Sequence, residues 1–212
     1  MRRCNIAMGL LALMAAGPAA LGAQSAPAVD VRAYRFYRAE SRQTLVQAFV
    51  DVPYELLEAS ATGPEGQLQY GVVVELTDQA GQQINQASWP GRARADLRIR
   101  GASKLESLDF AVPPGKYRVA VIVTDSVSGR SFRSSTDVEA WSSAPRASDL
   151  MLSPSMRLAT GEDTMPRLGE IRRGNTMITP ATRLRLTPVR SKAYYLLEAY
   201  ATTADSGSMV VR

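Results

Sequence analysis

Alternation with period two dominates this chain from Thr44 onward and decides what it can fold into. Leu68, Tyr70, Val72, Val74 and Leu76 fall on one side of an extended segment, with Gln69, Gly71, Val73, Glu75 and Thr77 on the other. Successive side chains of a strand point to opposite faces, so this pattern predicts a strand with one face buried. Asp78-Gln79-Ala80-Gly81 then offers turn chemistry, and Gln82 to Trp89 returns as a hairpin partner. Ala93 to Arg100 alternates Ala, Leu and Ile with Arg94, Asp96, Arg98 and Arg100, and is predicted as a strand with one charged face. Leu108, Phe110 and Val112 form the next. Pro113-Pro114-Gly115 forces a corner, and Tyr117 to Thr124, apolar on both faces, reads as a central strand. The Asp125-Ser126-Val127-Ser128-Gly129 loop leads to a strand from Phe132 to Glu139.

With Leu45 to Val52 added at the start, this makes seven strands over roughly 100 residues, the size and spacing of an immunoglobulin-like or fibronectin-like β-sandwich. The apolar strand end, the Pro-Gly turn and Tyr117 match the corner at which such sandwiches cross between sheets, the tyrosine bonding back to the corner backbone. The predicted fold is therefore all-β, a sandwich over residues 44–141 followed by a partial or packed-on second β domain.

The flanking regions follow from chemistry. Residues 1–23 read as a signal peptide: Met1-Arg2-Arg3 is basic, Ile6 to Ala16 is apolar but too short to span a bilayer, and small residues follow, with cleavage placed after Ala23. Residues 24–43 are an N-terminal extension. Residues 142–168 form a linker, opened by Ser142-Ser143-Ala144-Pro145, with a short strand from Asp149 to Leu152 and mostly loop from Ser153 to Gly174. Residues 169–212 carry strand candidates at Met177 to Ile178, Arg183 to Leu186 and Ala193 to Tyr200, and a strand start at Met209. They are too few for an independent core, so they pack on the sandwich or open a second one. Tyr194, Tyr195 and Tyr200 lie on a strand with two apolar faces, which predicts burial.

The signatures Phe49-Val50-Asp51-Val52-Pro53-Tyr54-Glu55-Leu56-Leu57, the strand to Asp78 with its Gly81 turn, Val112-Pro113-Pro114-Gly115-Lys116-Tyr117, Asp125 to Arg130 and Ser148-Asp149-Leu150 occur in one order between Leu45 and Leu152. That order resembles the N-terminal β-sandwich region of bacterial exported proteins that carry a C-terminal GWxTD domain. The resemblance implies export and a sandwich fold. The motif that names the family is absent: the two tryptophans read Ser88-Trp89-Pro90 and Ala140-Trp141-Ser142.

Composition narrows the chemistry. There is no histidine, which removes Ser-His and Cys-His catalysis and His-containing zinc sites. The one cysteine, Cys4, lies in the basic start of the signal rather than after its apolar core, so it is not a lipoprotein attachment site. No catalytic, cofactor-binding or metal-ligating residue is assigned, and no cofactor is expected. Paired carboxylates could still hydrolyse glycosides, or Ser and Lys could act at a loop cluster, which makes an envelope hydrolase the alternative function. The Asp125 loop could offer oxygens to calcium, but a plain hairpin fits its Ser and Gly better. Glu162-Asp163 reads as solvated.

The net charge of +5 is mild and shrinks when Arg2 and Arg3 leave with the signal. Arg92, Arg94, Arg98 and Arg100 could meet an anionic envelope polymer or lipid head groups, against the plainer reading of a charged, solvated strand face. The expected protein is thus a non-enzymatic envelope module, periplasmic or secreted by the general secretory route. Its partner would be an envelope protein or anionic envelope polymer, with no nucleic acid and no membrane span once the signal is removed. Intact-mass measurement of exported protein should find a mature N-terminus between Gly22 and Ala28; a mass retaining Met1 would overturn export.

Overall fold

The computed structural model describes residues 26–61, 66–160, 165–167, 169–184, 186, 188 and 191–200. The signal assignment, Glu162-Asp163 and the strand start at Met209 lie outside the described residues. The chain is all-β. Seven long strands come first: β1 (Asp30–Arg38), β2 (Gln43–Pro53), β3 (Gln67–Asp78), β4 (Gln83–Arg94), β5 (Ser103–Val112), β6 (Gly115–Asp125) and β7 (Ser131–Ala140). Five short strands follow: β8 (Met151–Ser153), β9 (Ser155–Leu158), β10 (Ile171–Arg173), β11 (Thr176–Thr179) and β12 (Tyr194–Leu196).

The long strands make an antiparallel sandwich of a three-stranded sheet, β1-β2-β5, and a four-stranded sheet, β4-β3-β6-β7. Inward residues alternate from both sheets: Val46, Ala48, Val50 and Val52 of β2 meet Val72, Val74 and Leu76 of β3 and Val119, Val121 and Val123 of β6 in one core. The Leu68 to Leu76 alternation is borne out residue by residue. So is the corner, where the Tyr117 hydroxyl donates to the Pro113 carbonyl at 3.0 Å.

The count of seven is right, but one member differs. Ala93 to Arg100 is not a strand: β4 ends at Arg94, a 3-10 turn covers Ala95–Leu97, and Gly101 sits at φ 77° before β5 begins. The alternation there arises because Arg94 pairs with Asp96 two residues on, its Nε donating at 3.0 Å, across a turn instead of along a ladder. The seventh strand is β1, inside the stretch expected to be an extension. It pairs with β2 from Asp30↔Asp51 to Arg38↔Gln43.

Strand β2 is buried on both sides, from Thr44 to Val50 without a break. Its even residues enter the sandwich core. On the other side, Leu45 and Phe49, with Phe36 of β1, form a second core with Met151 and Ile178 of the C-terminal segment. The segment beyond Trp141 is thus packed on the three-stranded sheet through its described residues Met151 and Ile178. It carries more strand than expected: β9 and β10 lie in a stretch read as loop and pair with β11, which contains the Met177 to Ile178 candidate, while β8 pairs with β12. The Arg183 to Leu186 candidate has no strand at residues 183, 184 and 186. The expected strand from Ala193 to Tyr200 shortens to Tyr194–Leu196 plus a bridge from Ala147 to Ala199.

Polar side chains fasten this cover. Arg35 of β1 grips Asp149 with two guanidinium bonds, Nε at 2.9 Å and Nη2 at 2.8 Å, while its Nη1 donates to the Glu139 carbonyl at 2.7 Å and its face lies 4.7 Å from the Trp141 ring. Such bidentate pairs are the directional form of ion pairing. Gln47, an amide buried on the outer side of β2, accepts from Arg173 Nη2 at 2.8 Å, and the same guanidinium stacks 4.1 Å from the Phe36 ring. Tyr200 accepts from the Tyr37 N–H at 2.8 Å and donates to Glu198 at 3.1 Å; burial foremost, together with Glu198, pushes its hydroxyl up to about 12. Tyr194 and Tyr195 correct their expected burial. They are exposed, because of β12 only Leu196 packs against the second core, and Tyr195, 45% exposed, lies opposite Leu152, 42% exposed.

Replacing Tyr117 by Phe should lower stability by roughly 1 to 3 kcal/mol, because the corner carbonyl of Pro113 loses its donor. Urea unfolding reads this directly, and a midpoint equal to wild type would remove the corner from the list of stabilising contacts.

Candidate functional sites at the two ends of the sandwich

Strands β3 and β6 run the length of the four-stranded sheet, and each end carries a distinct arrangement. At the first end the connections β2 to β3, β4 to β5 and β6 to β7 converge. Asp125 closes β6 there and is fully buried. Its carboxylate accepts from the N–H groups of Val127 at 3.3 Å, Ser128 at 3.1 Å and Glu58 at 3.3 Å, and from the Ser128 hydroxyl. Burial works to raise its pKa, but the bonds from Ser128, Val127 and Glu58 outweigh it and hold the carboxyl below its ordinary value. The loop is therefore a hairpin organised around its own acid, which also ties it to the β2–β3 connection. Glu55 ties that connection to the next, accepting from the Gly101 N–H at 3.0 Å, beside Tyr54 N–H to Ala102 carbonyl at 3.0 Å.

Tyr70 crosses the sandwich nearby and donates to Glu106 of β5 at 2.8 Å, with Lys104 Nζ 3.1 Å from the same carboxylate. Burial first, then the Glu106 charge, raises the Tyr70 hydroxyl. Gly91 makes room for that ring, since a Cβ there would lie 2.1 Å from it. The arginines expected on one strand face are divided: Arg92 and Arg94 are on β4, while Arg98 and Arg100 lie beyond the 3-10 turn.

At the opposite end, the Asp78 to Gly81 hairpin, the start of β6 and the end of β7 enclose an open groove of about 580 Å³. Tyr117 and Val138 give it apolar lining; Thr77, Gln79, Lys116, Arg118, Asp137 and Glu139 give it polar and charged groups. Arg118 Nε donates to Asp137 Oδ1 at 2.8 Å, and this pairing holds the Asp137 carboxyl below its ordinary range. Asp78 Oδ1 accepts from the N–H groups of Ala80 and Gln82, both at 2.9 Å, closing the hairpin. Lys116 stands opposite Glu139 in the β6–β7 register and makes no ion pair among the described residues. The groove was missed from the sequence because its members come from three segments, and only the register brings Lys116 to Glu139.

The carboxyls with a displaced pKa among the described residues, Asp125, Asp137 and Glu170, are all held low, Glu170 at about 2 by Arg157 first and then the Arg167 N–H. A general acid working near neutral pH needs the opposite displacement. No group of three or more His, Cys, Asp or Glu among the described residues is placed to hold a metal ion.

Because the folded-state pKa of Asp125 is depressed, its contribution to stability is fully present above the unfolded carboxyl value and is lost as pH falls through the folded one. Asp125→Asn should therefore be less stable than wild type at pH 7 and show a shallower loss of thermal midpoint between about pH 5 and pH 2. Overlapping acid limbs for the two proteins would show that the carboxylate charge does not organise the loop end.

No family model and no curated protein matches the chain. Among solved structures, an X-ray structure of Northeast Structural Genomics Consortium target SoR45 is similar over 53% of this chain and 81% of its own, with 11% sequence identity and a TM-score of 0.25, a likeness too low to bear on fold or function.

Proposed function

We propose that the chain is an exported, non-enzymatic β-sandwich module that binds or spaces components of the bacterial cell envelope. The observation that carries this reading is how its carboxylates are used. Asp125 organises a loop end, Glu106 ties the sheets through Tyr70, Asp149 clasps the C-terminal segment through Arg35, and Glu170 is locked by Arg157. Acids so engaged build architecture. The groove between the β3–β4 hairpin and the β6–β7 ends combines an apolar lining with side chains of both charges, which suits a protein surface or polymer better than a reacting small molecule. The basic, apolar and small-residue start of the chain supports export through the general secretory route to the periplasm or beyond, and the order of signatures between Leu45 and Leu152 supports kinship with the sandwich region of GWxTD-domain proteins.

Site-specific photo-crosslinking in envelope preparations tests the binding role. A crosslinking residue at Lys116 or Glu139 should give a discrete adduct that the same residue at Arg133, on the outer face of β7, does not. Absence of any adduct from both groove positions, or identical adducts from all three, would remove the groove from the proposal.

A further inference from the structure

The turn from β4 to β5 presents apolar and basic side chains at the surface, away from the groove. Residues 96–101 are all exposed, and Leu97 and Ile99 remain 42% and 60% exposed. Arg98 stands between them, and its side chain makes no hydrogen bond or ion pair among the described residues. Arg100 follows. The backbone beneath is fixed: Arg98 N–H donates to Ala95 at 3.0 Å, Ile99 N–H to Leu97 at 2.7 Å, Ala102 N–H to Ile99 at 3.1 Å and Gly101 N–H to Glu55 at 3.0 Å. Single exposed aliphatic residues are ordinary. Two on one braced turn, interleaved with arginines at an extremity of the molecule, make a small amphipathic tip.

We propose that this turn docks the loop end of the sandwich onto an anionic lipid surface. The two chemistries match such a surface at the right depths. The Arg98 guanidinium pairs with a headgroup phosphate, and branched aliphatic side chains on the same turn enter the boundary between headgroups and acyl chains. Asp96, the acid within the turn, is already neutralised by Arg94 across 3.0 Å, so it does not oppose the approach. An acidic protein surface would answer the arginines but would not need two aliphatic side chains held outward beside them. The docking end is opposite to the groove along β3, about 35 Å away at the usual rise per strand residue, so a docked molecule would hold the groove away from the bilayer. This inference does not rest on the groove reading, and neither result below bears on groove crosslinking.

Co-sedimentation of the full chain with vesicles of phosphatidylglycerol mixed with phosphatidylcholine, compared with phosphatidylcholine alone, tests it. All variants share one N-terminus, so any leader contribution is common to them. Binding should favour the anionic vesicles and weaken as salt rises. The double variant Leu97→Ser with Ile99→Ser, and separately Arg98→Glu, should each lower partitioning about tenfold, whereas Arg133→Glu, the same charge change on the outer face of β7, should leave it unchanged. Circular dichroism confirms that the variants fold, which exposed positions permit. The proposal is overturned if wild type does not sediment with anionic vesicles, if the turn variants bind as wild type does, or if Arg133→Glu lowers binding as much as Arg98→Glu.

Discussion

Strand β2 has no solvent face, and the rest of the molecule is arranged around that fact. A strand buried on one side can be served by a two-sheet sandwich. A strand buried on both sides needs a further layer, and the chain supplies one from its own C-terminal portion through Met151 and Ile178. The layer is thin, made of strands three or four residues long, and does not have the breadth of an independent core. It is held in place by directional contacts to the sandwich: Arg35 with Asp149, Arg173 with Gln47 and the Phe36 ring, and Tyr200 with Tyr37. The apolar part supplies most of the burial, and the guanidinium forks fix the register in which it is applied.

What could be read from the sequence follows how local the physics is. β3, β6 and β7 were legible because their neighbours present a uniform core on one side, so burial and alternation coincide along each strand. β1 was hidden because its two faces are chemically mixed. Tyr34 and Phe36 point toward a layer more than a hundred residues later in the chain, and Arg35 lies among residues of the opposite parity because its partner Asp149 arrives from that same distant segment. Conversely, Ala93 to Arg100 alternated without being a strand, since an ion pair between Arg94 and Asp96 in a turn imitates the sequence of a charged strand face.

The sites divide in the same way. Tyr117 was readable because its acceptor is four residues away, and the hairpin character of the Asp125 loop because donor and acceptor share it. The Glu58 contact to Asp125, the Glu55 contact to Gly101 and the juxtaposition of Lys116 with Glu139 depend on loop convergence and strand register, which single-sequence patterns do not carry. Tyr194 and Tyr195 show the limit of composition: two apolar faces predicted enclosure, yet only Leu196 of that three-residue strand reaches the second core.

The double burial of β2 also imposes an order in time. A chain made from its N-terminus completes β1 and β2 early, and their pairing is local, joined by a four-residue turn. The outer side of that hairpin bears Phe36, Leu45 and Phe49, and the residues that close over it, Met151 and Ile178, come about a hundred residues or more later in the chain. Until they arrive, a nascent chain carries an uncovered surface of two phenylalanines and a leucine beside this early strand pair. The closing step has a high sequence separation and comes after the sandwich itself is possible. Shielding of that surface during the interval, by a chaperone or by keeping the chain extended, is thus a requirement written into the placement of one strand.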